Sequence, residues 1–571
     1  MMQPARPHSL GARLARRPGR SAWRRSLTGV SLIVAAAVLS ACSIQIQSAP
    51  DPSIPDDTML VAADNGSPLF ERNFNPYLAN TRIASWYMYE PLVVLDNVTG
   101  EETPWLSTGY TLPDPSTIVF PIRDGVLWSD GEDFTAEDVA FTFQMLKDNP
   151  ALDRQGIWSY IESVETGGTD GAETVTVHLL EADVPAAQLI AVTQIVPEHI
   201  WSEVEDPGTF RNPDPVGTGP YTLGNFAAQQ YTVDKNPDYW QADKVAAEHI
   251  ILPATNTQLD VATKGYDWAY SFISDVEGAW VDAGNQNTYW FPPGGTIALF
   301  PNLTVAPFDD VNLRLGLSAS LDRAAVGDAA AEGYMEPAGQ TNILLPNQAD
   351  YLNPDIPDSG LITADTPAAL EHFAAAGYTQ QDGKLVDAAG QQLSFTITTA
   401  NGYNDWLKGV QEVQKQWGAI GIDVKVETPQ PAAYQLALRN GEYEFAMGGT
   451  GGTGSLFRDF NMLLSSEYLK PVGEEASNNF ERFSDPAADE ILAQFRLSTD
   501  EEEQKELGYQ LQQIVYEQIP VISLYYGGSW GLFSDAKFTG WPSDADPYAS
   551  PKTYESTPLL VLTNLKAVND D

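Results

Sequence analysis

A mixed α/β fold with several sheets is the class this sequence predicts, on three observations. Strand-like and helix-like segments alternate along the chain instead of clustering by type. The chain has 571 residues, too many for one ordinary core, so two or three domains are expected. Hydrophobic residues make up 43% and aromatics 11%, far more apolar material than a disordered chain carries.

Residues 1 to 41 stand apart from the rest. They hold seven arginines (Arg6, Arg13, Arg16, Arg17, Arg20, Arg24 and Arg25) and no acid, the first carboxylate being Asp51. The apolar run Leu27 to Ala41 is about fifteen residues long, short of the ~20 that span a bilayer. A basic start followed by a short apolar stretch reads as a bacterial secretory signal. The run ends Leu39-Ser40-Ala41-Cys42, which resembles the lipobox of bacterial lipoproteins, whose cysteine is lipidated and becomes the first residue after cleavage. Cys42 is the only cysteine in the chain; a chance cysteine behind an ordinary signal peptide is the alternative. Arg24-Arg25 loosely resembles a twin-arginine signal. Residues 42 to 57, rich in Ser, Pro and Asp, then read as the lipidated cysteine and a flexible tether. The mature chain is thus expected outside the cytoplasm, lipid-anchored to the outer face of the cell membrane.

Further along, Thr135-Ala136-Glu137-Asp138 is a capping-box variant that starts a helix. Thr366-Pro367 and Asp485-Pro486 each place a cap before a proline at the first helical position. Val410, Val413, Trp417 and Ile420 recur at spacings of three and four, one face of a helix that Gly421 stops. Ile422, Val424 and Val426 alternate with polar residues as a half-buried strand does. Acids between Thr499 and Glu503 open a helix with Leu507, Leu511, Ile514 and Val515 inward, and Pro520 and a strand, Val521 to Tyr526, follow it.

The charge excludes a function class. There are 31 Lys and Arg against 77 Asp and Glu, a net charge of −46. Without the seven leader arginines 24 bases remain against 77 acids, a charge of −53. Nucleic-acid binding depends on excess cations facing phosphate, so no nucleic-acid partner is expected. One cysteine and five histidines leave no disulfide framework, Cys-ligated zinc, iron–sulfur or multi-His site, so no metal or cofactor is expected.

Two strings match catalytic patterns. Gly449-Thr450-Gly451-Gly452-Thr453-Gly454 fits the G-x-G-x-x-G of dinucleotide folds and follows a strand-like Glu444 to Met447. It must open a helix to hold a pyrophosphate, and Ser455-Leu456-Phe457-Arg458 reads without a clear cap. Gly527-Gly528-Ser529-Trp530-Gly531 fits a nucleophile elbow, but the last histidine is His372, upstream of that serine, so the usual order of partners cannot be built. Carboxylate pairs for glycoside hydrolysis are too numerous among 77 acids for one to stand out. No enzyme is expected, and a secreted glycoside hydrolase is the alternative from a different class.

Four further stretches carry a resemblance. They are Val119-Phe120-Pro121-Ile122-Arg123-Asp124-Gly125-Val126-Leu127-Trp128-Ser129-Asp130-Gly131 running into Phe134 to Val139; Pro215-Val216-Gly217-Thr218-Gly219-Pro220-Tyr221 closed by Lys235 to Trp240; Pro307 to Arg314 ending in Leu321-Asp322-Arg323; and Ala374 to Tyr378 with Asp382-Gly383, Gly418 to Ile422 and Gly441 to Glu444. In this order they resemble the extracellular solute-binding proteins of ABC transporters, family 5, whose members bind peptides, oligosaccharides, nickel and opines. The resemblance spans about residues 58 to 565. It implies a two-lobed, periplasmic-binding-protein-like (Venus-flytrap) fold with mixed sheets and an extra subdomain in the N-terminal lobe. It places residues 58–300 plus 528–571 in one lobe and 301–527 in the other, a solute enclosed between them, and a monomer that hands it to permease subunits powered by a separate ATPase. The glycines of the second stretch are expected to be scaffold, allowing a tight backbone turn with Trp240 packed beneath it.

On the solute two readings stand. Peptide-binding members carry an Asp in a Trp-x-x-Asp-like segment after the strand at the 441–447 position, where it pairs with the peptide's amino group; this chain reads Gly448 to Ser455 there. Thr539-Gly540-Trp541-Pro542, Asp546-Pro547-Tyr548 and Leu559 to Leu565 look more like the oligosaccharide-binding members, including cellobiose binders, and 14 tryptophans suit sugar faces. A short β-linked oligosaccharide is therefore expected, with an oligopeptide as the alternative. The expected contacts, from their places at lobe edges, are Asn75, Trp86, Trp268, Asn401, Trp406, Thr450, Trp530 and Trp541.

Overall fold

Short strands rich in β-branched and aromatic residues build two principal sheets, and the chain passes between them twice. The computed structural model describes residues 54–62, 69–169, 171–254, 258–284 and 286–568. The expected leader, Cys42 and the tether as far as residue 53 lie outside the described residues.

A seven-stranded sheet runs in the order Asn287–Trp290, Gly531–Ser534, Trp268–Tyr270, Thr58–Ala62, His249–Pro253, Gln230–Lys235, Tyr221–Ala227. Thr58–Ala62 is buried along its whole length and pairs in parallel on both sides, Thr58 opposite His249 and Val61 opposite Trp268. A strand covered on both faces reads as a continuous apolar run, and Met59-Leu60-Val61-Ala62 does. A five-stranded sheet runs Asp423–Glu427, Ser394–Thr398, Phe445–Thr450, Pro293–Pro301, Ile522–Gly528. The chain leaves the first sheet at Trp290 and enters the second at Pro293, then returns between Gly528 and Gly531. The main hydrophobic core under the seven-stranded sheet draws on residues 59–268 and 533–565, whereas the cores of the five-stranded sheet draw on residues 298–526. A third, four-stranded antiparallel sheet lies within residues 111–179, with the helix Ala136–Asp148 packed on it.

The local signals place the helices with small shifts. Asp138 accepts the Thr135 amide at 2.9 Å at the start of Ala136–Asp148. Asp485 caps Pro486–Leu497, and Asp500 caps Glu501–Gln518 by accepting the Glu503 amide at 3.0 Å. At the helix Thr366–Ala375 the cap is Asp365 and not Thr366, because the carboxylate one residue earlier reaches the Ala368 amide at 3.0 Å. Gly421, at φ +96°, ends the helix Asn404–Ala419 ahead of the strand Asp423–Glu427. A helix also opens after the glycine-rich string, Leu456–Leu464, and Ser455 caps it by accepting the Arg458 amide. The serine is therefore a cap, contrary to its reading from sequence.

The two most extended motif stretches lock onto each other. Ser129 donates its amide to the Gly217 carbonyl at 3.0 Å, and the Arg123 guanidinium lies 4.3 Å over the Trp240 ring. A Cβ at Gly217 would stand 2.0 Å from the Met88 carbonyl oxygen, and one at Gly219 would stand 2.5 Å from that of Tyr87. These glycines serve close approach of two backbones; neither has a positive φ, so a left-handed turn is not what requires them. Beneath them Glu90 is fully buried and accepts from Trp105 Nε1 at 2.5 Å, Tyr239 Oη at 2.9 Å and Trp240 Nε1 at 3.4 Å. Burial pushes its carboxyl up to about 7 against the pull of those donors.

The third stretch supplies two buried arginines that tie helices to the five-stranded sheet. Arg314 donates to the carbonyls of Phe308, Gln518 and Ile519. Arg323 donates to the carbonyls of Ser318, Ile362 and Ser523 and to Ser318 Oγ. Both are scaffold.

Candidate functional site

Where the glycine-rich loop of the second half meets the first half, a cavity of about 490 Å³ is lined by residues of both. The first half contributes Tyr77 and Trp86, Asn97, the turn Leu152 to Gln155, and Thr193 and Gln194; Lys552, Glu555 and Ser556 come from the C-terminal return, and Gly452, Thr453 and Arg458 from the second half. A smaller cavity of about 150 Å³ adjoins it, sharing Leu95, Gln155, Val192 and Arg458. Cavities of this size, apolar in part with a few converging polar groups, are where small molecules bind.

The loop's conformation has a local cause. Gly451, Gly452 and Gly454 have φ of +71°, +81° and +81°. A Cβ at Gly452 would stand 2.1 Å from the Gly294 carbonyl, so only glycine lets this loop lie against the crossing strand. Asp459, from the first turn of the following helix, accepts the Gly452 amide at 3.1 Å, the Thr453 amide at 3.0 Å and the Thr453 hydroxyl at 2.7 Å. The loop amides that a dinucleotide fold turns toward a pyrophosphate are thus turned toward the chain's own carboxylate. Burial pushes that carboxyl up to about 6 despite these donors. Ser529 in the other catalytic-looking string is 1% exposed and sits between two strands, Ile522–Gly528 and Gly531–Ser534, not at a strand-to-helix elbow.

Of the eight residues expected at the site, Trp86 alone borders this cavity. Asn75 is fully buried: its amide donates to the carbonyls of Pro207 and Phe210 and its oxygen accepts the Tyr77 amide, which uses the side chain as a turn brace. Trp268 is 0% exposed, donates to the Pro551 carbonyl at 3.0 Å and packs 5.8 Å from Trp541, which itself stacks on Phe533 at 5.0 Å. All three are buried and partnered within the protein, Trp268 and Trp541 against each other and Asn75 through both ends of its amide. Trp530 is half-buried between Phe272 and Phe291 at the return crossing. Trp406 lies edge-on to Tyr403 and Tyr434, Asn401 is exposed, and Thr450 donates to Asn342 Oδ1 at 3.1 Å. Tyr77, Asn97, Arg154, Gln155, Gln194, Arg458 and Lys552 line the cavity without having been expected there; they share no motif and meet only through folding. Thr450 lies within three positions of the cavity-lining residues Gly452 and Thr453, and Asn75 within two of Tyr77.

The family described as bacterial extracellular solute-binding proteins, family 5 Middle, matches residues 101–468, more than half of the chain. The chain belongs to this family. Among relatives of this solute-binding protein, the oligopeptide-binding protein OppA of Bacillus subtilis is 24% identical over 505 residues, covering 83% of this chain and 89% of OppA. Di/tripeptide-binding protein 1 of Pseudomonas aeruginosa is 25% identical, covering 72% and 77%. A periplasmic oligopeptide-binding protein of Thermotoga maritima superposes with a TM-score of 0.81 at 23% identity, over 90% of this chain and 99% of that one; a structure of it described as mannohexaose-bound gives 0.74 at 22%, with the same coverage. The fold of this solute-binding protein is accordingly the two-lobed fold of periplasmic binding proteins. It is an extracytoplasmic, non-enzymatic substrate-binding component of an ABC importer, and solute-binding proteins of this family bind small peptide or sugar solutes and work with ABC permeases. Among the described residues no helix is long and apolar enough to cross a membrane.

Proposed function

We propose that this protein is a lipoprotein, anchored through Cys42, that captures a short oligosaccharide in the cleft between its lobes and delivers it to the permease. One observation carries the sugar reading: the acids at the cavity are already engaged. Asp153 accepts the Ile157 and Trp158 amides at 2.9 and 3.0 Å. Glu555 accepts from Asn97 and Lys552 at 3.0 and 2.9 Å, and Asp459 holds the glycine loop. A peptide's ammonium group needs a carboxylate to replace its lost hydration, and here Asp153 and Asp459 are committed to backbone amides and Glu555 to Asn97 and Lys552 through Oε2. The indole of Trp86, the Gln155 amide and the amide oxygens of Asn97 and Gln194, whose amide nitrogens donate to Glu555 and to the Ser85 and Tyr89 carbonyls, suit pyranose C–H faces and hydroxyls. β-Linked gluco-oligosaccharides are the first to try, and the mannohexaose-bound relative adds support for sugar as cargo.

The named relatives bind peptides, so an oligopeptide is the second reading. The lobes are residues 58–300 with 528–571 and residues 301–527, hinged near the two crossings, and solute favours the closed state because only there does it touch both. Thermal unfolding of the mature protein against panels of oligosaccharides and of tri- to pentapeptides tests the assignment. A ligand at a hundred times its Kd adds about 2.7 kcal/mol. Stabilisation by sugars, weakened roughly tenfold in affinity by Trp86→Ala, is the expected result. Stabilisation by peptides alone refutes the sugar reading. Mass spectrometry of membrane-bound protein from its native host, or from the same host carrying Cys42→Ser, tests the anchor.

A further inference from the structure

The cavity runs against the charge of the whole chain. In a protein with 77 acids and 31 bases, three of its lining side chains are cationic: Arg154, Arg458 and Lys552. Lys552 is paired with Glu555 at 2.9 Å. Among the described residues neither Arg154 nor Arg458 makes a side-chain hydrogen bond or an ion pair, although Arg458 lies close enough to Asp459 and Tyr160 to act on them electrostatically. The acids nearest to them are not waiting for a partner, since Asp153 and Asp459 each bind two backbone amides. Arg496 shows the contrast. It too joins the second half to the first, and it is paired, with Glu467 at 2.7 Å and Asp183 at 3.8 Å. Arg154 comes from the turn after the helix Ala136–Asp148 and Arg458 from the first turn of Leu456–Leu464, so the cavity brings together one guanidinium from each half.

A guanidinium carries five donors and no acceptor and matches a carboxylate in a two-pronged contact. We propose that Arg154 and Arg458 form an anion subsite and that the solute carries a carboxylate, which on the oligosaccharide reading above is a uronic acid unit. The subsite does two things for a binding protein of this charge. It offsets the repulsion that the acidic surface exerts on an anionic solute, and it gives the closed state a contact that only an acidic solute completes, since the carboxylate bridges a cation of each half. Both arginines are exposed, so uncharged sugars of the same size leave their guanidinium groups to water.

The test pairs neutral gluco-, manno- and galacto-trisaccharides with the same backbones oxidised to uronates at C6, alongside tripeptides with free or amidated C-termini. Affinities are read by titration calorimetry on the mature protein and on Arg154→Gln and Arg458→Gln, whose folding is checked by circular dichroism. A uronate that binds at least tenfold tighter than its neutral partner, and loses roughly ten- to a hundredfold in either variant, is the expected result. Equal binding of neutral and acidic forms overturns the anion subsite while leaving the sugar assignment standing, as does acidic binding untouched by both variants. No binding of any uronate, with free peptides equally untouched by amidation, overturns it as well. Binding only of peptides with a free C-terminus, lost in the arginine variants, upholds the subsite and overturns the sugar assignment.

Discussion

Replacing Gly217 by alanine tests the close approach of the second motif stretch to the backbone of Met88. The added Cβ would stand 2.0 Å from the Met88 carbonyl oxygen, 2.7 Å from its carbon and 3.3 Å from its Cα, all backbone atoms. Ordinary contact requires the two segments to part by more than about 1 Å. No rotamer change relieves a clash between main chains, so the cost sits at the upper end of overpacking, about 3 kcal/mol. Parting the segments also stretches the bonds from the Gly219 amide to Met88 and from the Ser129 amide to Gly217, 2.9 and 3.0 Å long, worth about 1 kcal/mol each. The expected loss is about 3–5 kcal/mol. Gly418→Ala is the matched control, since Gly418 lies in the helix Asn404–Ala419 and nothing stands within 4 Å of its missing Cβ; that change is expected to be neutral or to stabilise by up to ~1 kcal/mol. Urea unfolding of the two variants beside the parent protein is the assay. Because Met88 ends the short helix that carries Trp86, Gly217→Ala is also expected to weaken solute binding. A Gly217→Ala protein within 0.5 kcal/mol of its parent, a margin about the size of ordinary surface effects, refutes the argument from close approach.

Three other expectations follow from the buried polar groups. Burial raises the carboxyls of Glu90 to about 7, Glu481 to about 8, and Asp183 and Asp459 to about 6, so the native state keeps protons that the unfolded chain releases above its ordinary carboxylate range. Stability is therefore expected to be fully present below about pH 4.5 as far as these groups are concerned and to decline as pH rises toward 8; Glu90→Gln should flatten that slope by about 3 kcal/mol at most, read from unfolding at pH 5 and pH 8. Asp459→Ala takes the acceptor from two loop amides and a hydroxyl, and is expected to cost about 3 kcal/mol and to loosen the cavity wall, while Asp459→Asn, which keeps one acceptor oxygen, costs less; denaturation and solute titration distinguish them. Arg323→Ala leaves three carbonyls and a hydroxyl at the edge of the second core without their donor, an expected loss of about 3–5 kcal/mol in urea unfolding.

The division between what sequence and fold decide follows the range of the forces involved. Caps, helix stops and strand alternation depend on neighbours a few positions away, so Asp138, Asp485, Gly421 and the acid-rich start of Glu501–Gln518 could be placed from sequence, and the one-residue error at Asp365 reflects two equally good cap chemistries side by side. The motif stretches marked the family because they are scaffold: Arg123 on Trp240, Ser129 on Gly217 and Arg323 on the Ser523 carbonyl are contacts between residues that line neither cavity. The cavity was not legible in the same way. Tryptophan alone does not tell a sugar platform from core packing, and here Trp268 and Trp541 are buried in packing while Trp86 borders the cavity. Arg154 and Arg458 are 304 positions apart, with no pattern joining them, and only the tertiary structure brings both to one cavity. Local backbone chemistry writes itself into adjacent residues, whereas a binding surface is assembled from loops whose only common property is where the fold puts them.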